Sequence, residues 1–158
     1  MVHRMELVIL IGLQAAGKTT FRQRRFDRTH IVVSKDNFSN NRSPARRQQL
    51  LVREALAAGK PVVVDNTNPR REDRALLIAL AREFSVRVVG YFLPATVAES
   101  LERNARRVGR ARVPDVGVFS TAKAFEIPSW LEGFDELYEV VADTGEHFVV
   151  RAMPKETV

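Results

Sequence analysis

ELVILIGLQAAGKTT, residues Glu6 to Thr20, decides the fold. An apolar run leads into two glycines five residues apart, Gly12 and Gly17, followed at once by Lys18 and Thr19. That spacing makes a phosphate grip. The glycines let the backbone turn so that its N–H groups point inward at β- and γ-phosphate oxygens. The helix that follows adds the positive end of its dipole. Lys18 reaches the β/γ-phosphates as a point charge, and the Thr19 hydroxyl is a candidate ligand for Mg²⁺. Gly12, Ala15, Ala16, Gly17, Lys18, Thr19 and Thr20 are therefore expected to line the ATP phosphates. The alternative is a glycine turn that binds nothing. With glycine at about 7% of residues, four fixed positions coincide by chance in roughly one chain of this length in several hundred.

Working outward, strand and helix alternate. ELVILIGL (6–13) reads as a buried strand, with a helix from Gly17-Lys18 to about Phe26. HIVVS (30–34) reads as a second strand, and Ser43-Pro44 as the start of a helix to about Ala58. PVVVDN (61–66) is a third strand, and Asn68-Pro69 starts a helix with Leu76, Leu77, Leu80 and Phe84 along one face. VRVVGYFL (86–93) is a fourth strand, PATVAESLERNARRV (94–108) a helix, and 116–125 another. ELYEVV (136–141) is a fifth strand, and HFVVRAM (147–153) a terminal hairpin or edge strand. Strand runs without polar alternation, separated by helices, indicate a parallel sheet covered on both faces. The expectation is one α/β domain over 1–158, with a P-loop NTPase fold, a parallel five-stranded sheet and a helical arginine-rich lid at about 103–115.

Composition fits that picture. Of 158 residues, 45% are hydrophobic and 28% charged, which suits a globular domain with its own core. LVILIGL is too short for a membrane span, and MVHRMELVIL runs into the first strand without a cleavable apolar segment. There is no cysteine, hence no disulfide or thiolate metal site. The expected location is cytoplasmic, with no membrane partner. The formal charge of +6 suits anionic partners such as nucleotides and nucleic acid, and equally an arginine-rich surface with no partner.

A P-loop alone names no reaction. In VVSKDNF, Asp36 falls just past the second strand, and the carboxyl ends of parallel strands face the ligand crevice. A carboxylate opposite the γ-phosphate can take the proton of an acceptor hydroxyl. A carboxylate that merely bonds its own turn is the competing reading. In VVVDNTNP, Asp65 ends the third strand. It could hold Mg²⁺ through water, orient a basic residue near the acceptor, or cap the next helix, a task for which Thr67 and Asn68 stand closer.

LERNARRVGRAR sets Arg103, Arg106, Arg107, Arg110 and Arg112 within ten residues. On a helix, Arg103 and Arg107 share one face, and Arg106 and Arg110 a neighbouring one. The run is either a solvated basic helix paired with Glu99 and Glu102 or a lid that closes over the phosphates and excludes water. Its place before a glycine-flanked loop favours the lid. Arg22, Arg24, Arg25 and Arg28 read mostly as surface. His3, His30 and His147 show no ligand spacing, and Trp130 reads as packing.

Together, GLQAAGKTTF, VVSKDNF, VVVDNTNPRREDR, LERNARR with RVP, and PSWLEGFDELYEV resemble in order and spacing the polynucleotide 5′-hydroxyl kinases, the P-loop kinase modules of nucleic-acid end-healing enzymes. The resemblance runs from about Met5 to Val141. It implies that Lys18 and Thr19 hold ATP and Mg²⁺, that Asp36 is the general base for a 5′-hydroxyl, and that Asp65 supports the acceptor side. It also implies that Arg103 and Arg107 contact the ATP phosphates and the transferred group. Some members carry an arginine three residues after the base. Here that position is Ser39, and Arg42 is the nearest candidate on the acceptor side. The expected activity is transfer of the γ-phosphoryl of Mg·ATP, or of another NTP, to the 5′-OH end of DNA or RNA. A small-metabolite kinase and a nucleotide-binding switch without an acceptor are the alternatives. The residues do not select DNA or RNA, the donor base or the oligomeric state.

Overall fold

The computed structural model describes residues 4–143 and 147–156. The chain runs β1 (Glu6–Ile11), α1 (Lys18–Arg25), β2 (Ile31–Val33), α2 (Pro44–Ala57), β3 (Val62–Asp65), α3 (Arg71–Glu83), β4 (Arg87–Phe92), α4 (Val97–Ala105), α5 (Asp115–Ala124), β5 (Glu136–Ala142) and β6 (Phe148–Ala152). Among the described residues, six strands form one sheet in the order β2-β3-β1-β4-β5-β6. The first five are parallel, as expected. The segment at 147–153 supplies the sixth strand, β6, which runs antiparallel to β5.

β1 lies between β3 and β4 and is buried along its whole length. Its side chains alternate between two cores, as strand geometry requires. Leu7, Ile9 and Ile11 face Val52 and Leu56 of α2 and Leu77 and Ala81 of α3. Val8 and Leu10 face Phe21 of α1, with Phe26, Tyr91 and Val140. Both faces of the sheet are thus apolar, which is why the strand segments read as continuous hydrophobic runs.

Two sequence expectations shift. Leu76 is 54% exposed, because the core face of α3 is set by Arg74, Leu77, Ile78 and Ala81, and Leu76 falls off that arc. Asn68 does not cap α3. It adopts a left-handed backbone (φ 45°), and its Nδ2 donates to the Leu10 carbonyl at 2.7 Å. Asp73 caps α3 instead by accepting the Arg70 N–H. The loop after β3 is thereby tied to the end of β1, and the Gly12 N–H donates to the Thr67 carbonyl. Among the described residues, no helix is long and apolar enough to cross a membrane.

Candidate active site

The parallel strands deliver their carboxyl ends to one rim. A crevice of about 570 Å³ opens there. Lys18, Thr19 and Thr20 line it from α1, Lys35 and Asp36 from the turn after β2, and Asp65, Asn66 and Thr67 from the end of β3. Arg107 and Arg110 close it from the loop after α4. Four cationic side chains thus face two carboxylates.

The loop between β1 and α1 is built for close approach. A Cβ on Gly12 would stand 2.8 Å from the Leu93 carbonyl oxygen, so no larger residue fits. Gly17, at φ 102°, makes the left-handed turn that opens α1. Ala15 is also left-handed (φ 61°), a strained conformation of the kind that clusters at binding sites. The Lys18 ammonium folds back onto its own loop, donating to the carbonyls of Gly12 at 2.9 Å and Leu13 at 2.6 Å. Burial pushes the Lys18 amine down to about 8, against the pull of Asp65.

Asp65 is buried, and burial pushes its carboxyl up, opposed by a hydrogen bond from Thr19 and the charges of Lys18 and Arg22. The Thr19 hydroxyl donates to Asp65 Oδ2 at 3.0 Å, and Arg22 Nη1 to the same oxygen at 3.1 Å. Arg22 belongs to a group of four arginines that read mostly as surface, and it is the one turned inward. It sits one turn beyond Lys18 on α1, and that four-residue spacing is the signal that could have found it. Asp36 stands on a short 3₁₀ turn, Lys35–Phe38. Its own N–H donates to Ser34 Oγ, but among the described residues no donor holds its carboxylate, which faces the crevice.

The lid differs from its expected form. α4 ends at Ala105, so Arg106, Arg107, Arg110 and Arg112 lie on a loop rather than on helix faces. In the last turn of α4, Asn104 turns its amide on the backbone of Val113. Arg107 borders the crevice and also a second cavity of about 370 Å³, which Arg103 shares with Gly17, Thr20, Arg24 and Phe148. Arg103 donates to the Ala15 carbonyl at 3.4 Å. Arg106 pairs instead with Glu102 in solvent. Arg42 is exposed and stands outside the crevice lining. Ala15 and Ala16 flank the second cavity. A larger, mostly apolar cavity of about 660 Å³ between Leu13, Phe92, Phe125 and Val141 touches neither Lys18 nor either aspartate.

Trp130 packs against the core and donates to the Met153 carbonyl. His30 bonds to Glu6 at the far end of the sheet, and His3 lies outside the described residues.

A phosphate loop, two strand-end carboxylates and an arginine loop on a doubly covered parallel sheet define the P-loop kinase fold. Residues 7–128 match the family described as AAA domain, and the chain belongs to it. It is 27% identical over 141 residues to a bifunctional polynucleotide phosphatase/kinase of Schizosaccharomyces pombe, covering 87% of this chain and 34% of that protein. It is 26% identical over 156 residues to an L-seryl-tRNA(Sec) kinase of Methanococcus maripaludis, covering 89% of this chain and 60% of that one. The chain thus spans about a third of the first relative's length. Among solved structures, Chaetomium thermophilum Kti12 in complex with ADP-AlF3 superposes with a TM-score of 0.70 at 17% identity, over 89% of this chain and 92% of the other.

Proposed function

We propose that this protein is an ATP-dependent phosphotransferase whose acceptor is the 5′-hydroxyl end of DNA or RNA. The observation that carries the reading is the shared crevice of Lys18, Asp36 and Asp65, walled by Lys35, Arg107 and Arg110. The donor phosphates lie on the Gly12–Thr20 loop. The Asp36 carboxylate accepts the proton of the acceptor hydroxyl. That oxygen forms a bond to the γ-phosphorus as the bond from phosphorus to the β–γ bridging oxygen breaks, and ADP leaves. Lys18, Arg103 and Arg107 stabilise the charge that spreads over the phosphoryl oxygens. The cationic walls suit an acceptor that is itself a polyanion, and the polynucleotide phosphatase/kinase relative supports the same choice.

A hydroxyl and a carboxylate side by side, Thr19 and Asp65, fit Mg²⁺, which takes a few hard oxygens and keeps most of its waters. When bound, the ion neutralises charge on the β- and γ-phosphates. A second reading, a kinase of a small hydroxylated group other than a 5′ end, such as a metabolite, is supported by the relative named for the seryl group of a seryl-tRNA.

The test supplies γ-labelled ATP and Mg²⁺ with 5′-OH DNA and RNA oligonucleotides beside a panel of hydroxylated metabolites. Label is expected at the 5′ end and is lost in Lys18→Ala and Asp36→Ala. Label on a metabolite alone selects the second reading. ADP and free phosphate as sole products sink both.

A further inference from the structure

Asp36 is an exposed residue on a four-residue turn, preceded by a strand of only three residues. A general base must nonetheless hold its carboxylate within hydrogen-bond reach of the acceptor. Something outside the turn has to fix it.

A fixing contact comes from Asn66, the residue that follows β3. The Lys35 N–H, immediately before Asp36, donates to Asn66 Oδ1 at 2.9 Å. The Asn66 Nδ2 donates to Gln48 Oε1, a buried side chain on α2. The orientation of both amides follows from chemistry. The Lys35 N–H can meet only an oxygen, so the Asn66 nitrogen must face Gln48, which must then offer its own oxygen. Asp65, the last residue of β3, turns toward Thr19 and Arg22 on the α1 side, and Asn66, the residue after the strand, toward Lys35 and Gln48 on the α2 side. The donor end and the acceptor end of the crevice hang from these two adjacent residues.

Resting on the assignment of Asp36 as base, we propose that Asn66, backed by Gln48, is the positioning residue that sets Asp36 against the donor phosphate. Displacement of a catalytic group by about 1 Å can cost about 100-fold in rate. Removing the Asn66 amide frees the Lys35–Phe38 turn while leaving the phosphate loop intact. The effect then falls on turnover rather than on ATP binding.

The experiment compares Asn66→Ala, Gln48→Leu, Asp36→Ala and the double variant Asp36→Ala/Asn66→Ala in the full chain. It follows steady-state transfer to a 5′-OH oligonucleotide and hydrogen exchange of the Lys35 amide. Asn66→Ala is expected to lower kcat about 100-fold, with the KM for ATP within about twofold. Lys35 exchange should accelerate at least about tenfold. Gln48→Leu, which keeps the Asn66 side chain, should shift both in the same direction by about tenfold. The double variant should be no slower than Asp36→Ala, because Asn66 acts through that residue. Unchanged Lys35 exchange in Asn66→Ala and Gln48→Leu, or a further additive loss in the double variant, overturns the proposal. Full turnover in Asp36→Ala overturns the base assignment and the proposal with it. Loss in Asp36→Ala beside an unaffected Asn66→Ala overturns the positioning role alone.

Discussion

Asn104 clasps Val113 from both sides of its backbone: Nδ2 donates to the Val113 carbonyl at 2.7 Å, and Oδ1 accepts the Val113 N–H at 3.0 Å. Asn104 is fully buried. The two bonds close the loop that carries Arg107 and Arg110 to the crevice. Asn104→Ala leaves the N–H and carbonyl of half-buried Val113 unpaired, and the expected loss of unfolding free energy in urea is about 1–2 kcal/mol. Phosphoryl transfer should fall in the same variant. A variant of wild-type stability would show that the clasp is replaced by water.

Arg106 and Arg107 are adjacent in sequence and differ in environment. The first pairs with Glu102 in solvent, and the second borders both cavities at the phosphate loop. Arg107→Ala should lower kcat about 100-fold, with the melting temperature within about 2 °C of wild type. Arg106→Ala should leave both unchanged. Equal effects on kcat would return Arg107 to ordinary surface charge.

Arg22 and Thr19 share the same oxygen of Asp65. Arg22→Met removes the cation beside a buried carboxylate while keeping most of the side-chain volume. The predicted result is a loss of about tenfold in turnover at saturating Mg·ATP, since a lost charge-assisted hydrogen bond is worth about 1.5 kcal/mol. Arg22→Lys should recover part of it. Steady-state kinetics on the two variants measure both.

Arg74 lies on the core face of α3 and forks onto Glu132 at 2.7 and 3.0 Å, both side chains being shielded from water. Its Nη1 also donates to the carbonyls of Asn68 and Pro69, bracing the loop after β3. Glu132→Ala leaves that guanidinium charge buried and uncompensated, and should cost about 3–5 kcal/mol in chemical denaturation. The paired change Arg74→Met/Glu132→Leu should recover a large share of it.

At the opposite rim, Glu6 accepts from His30 at 2.9 Å and from Arg87 at 2.9 Å, and Arg87 also bonds Glu136. Burial pushes the Glu6 carboxyl up, but the bonds and charges of His30 and Arg87 outweigh it and hold it below its usual value. A carboxyl depressed in the fold contributes stability that is full above its unfolded value of about 4.3 and fades as pH falls through the folded value. The melting temperature of Glu6→Gln should therefore lie below wild type near neutrality, and the gap should narrow as the pH drops below about 4. A constant gap would assign the effect to packing.

The order of elements and the phosphate loop were legible because they rest on local spacing: glycines at 12 and 17, apolar runs of strand length, and carboxylates at the strand ends. The extent of the lid helix was not legible because the arginine run has good helix formers, and the Asn104 amide bonds that shape the loop reach a residue nine positions on. Asn68 carries the composition of a cap, yet the end of β1 offers its amide a better partner in Leu10. The sixth strand was visible as a run of β-branched residues, but periodicity says nothing about the direction in which a strand pairs. Asn66 received no role from the sequence, since its partners, Lys35 and Gln48, are distant in the chain.

The direction of that last strand has a further effect. Five strands advance toward the phosphate rim, and a sixth laid parallel to them would have begun at the far end, away from the nucleotide. Because β6 doubles back, its first residue is the one that arrives at the rim. The Phe148 ring comes to rest beside Gly17, with the Arg24 guanidinium over its face at 5.5 Å. A single reversal at the edge of the sheet thus gives the chain's closing hairpin a wall in the same chamber that the opening loop begins.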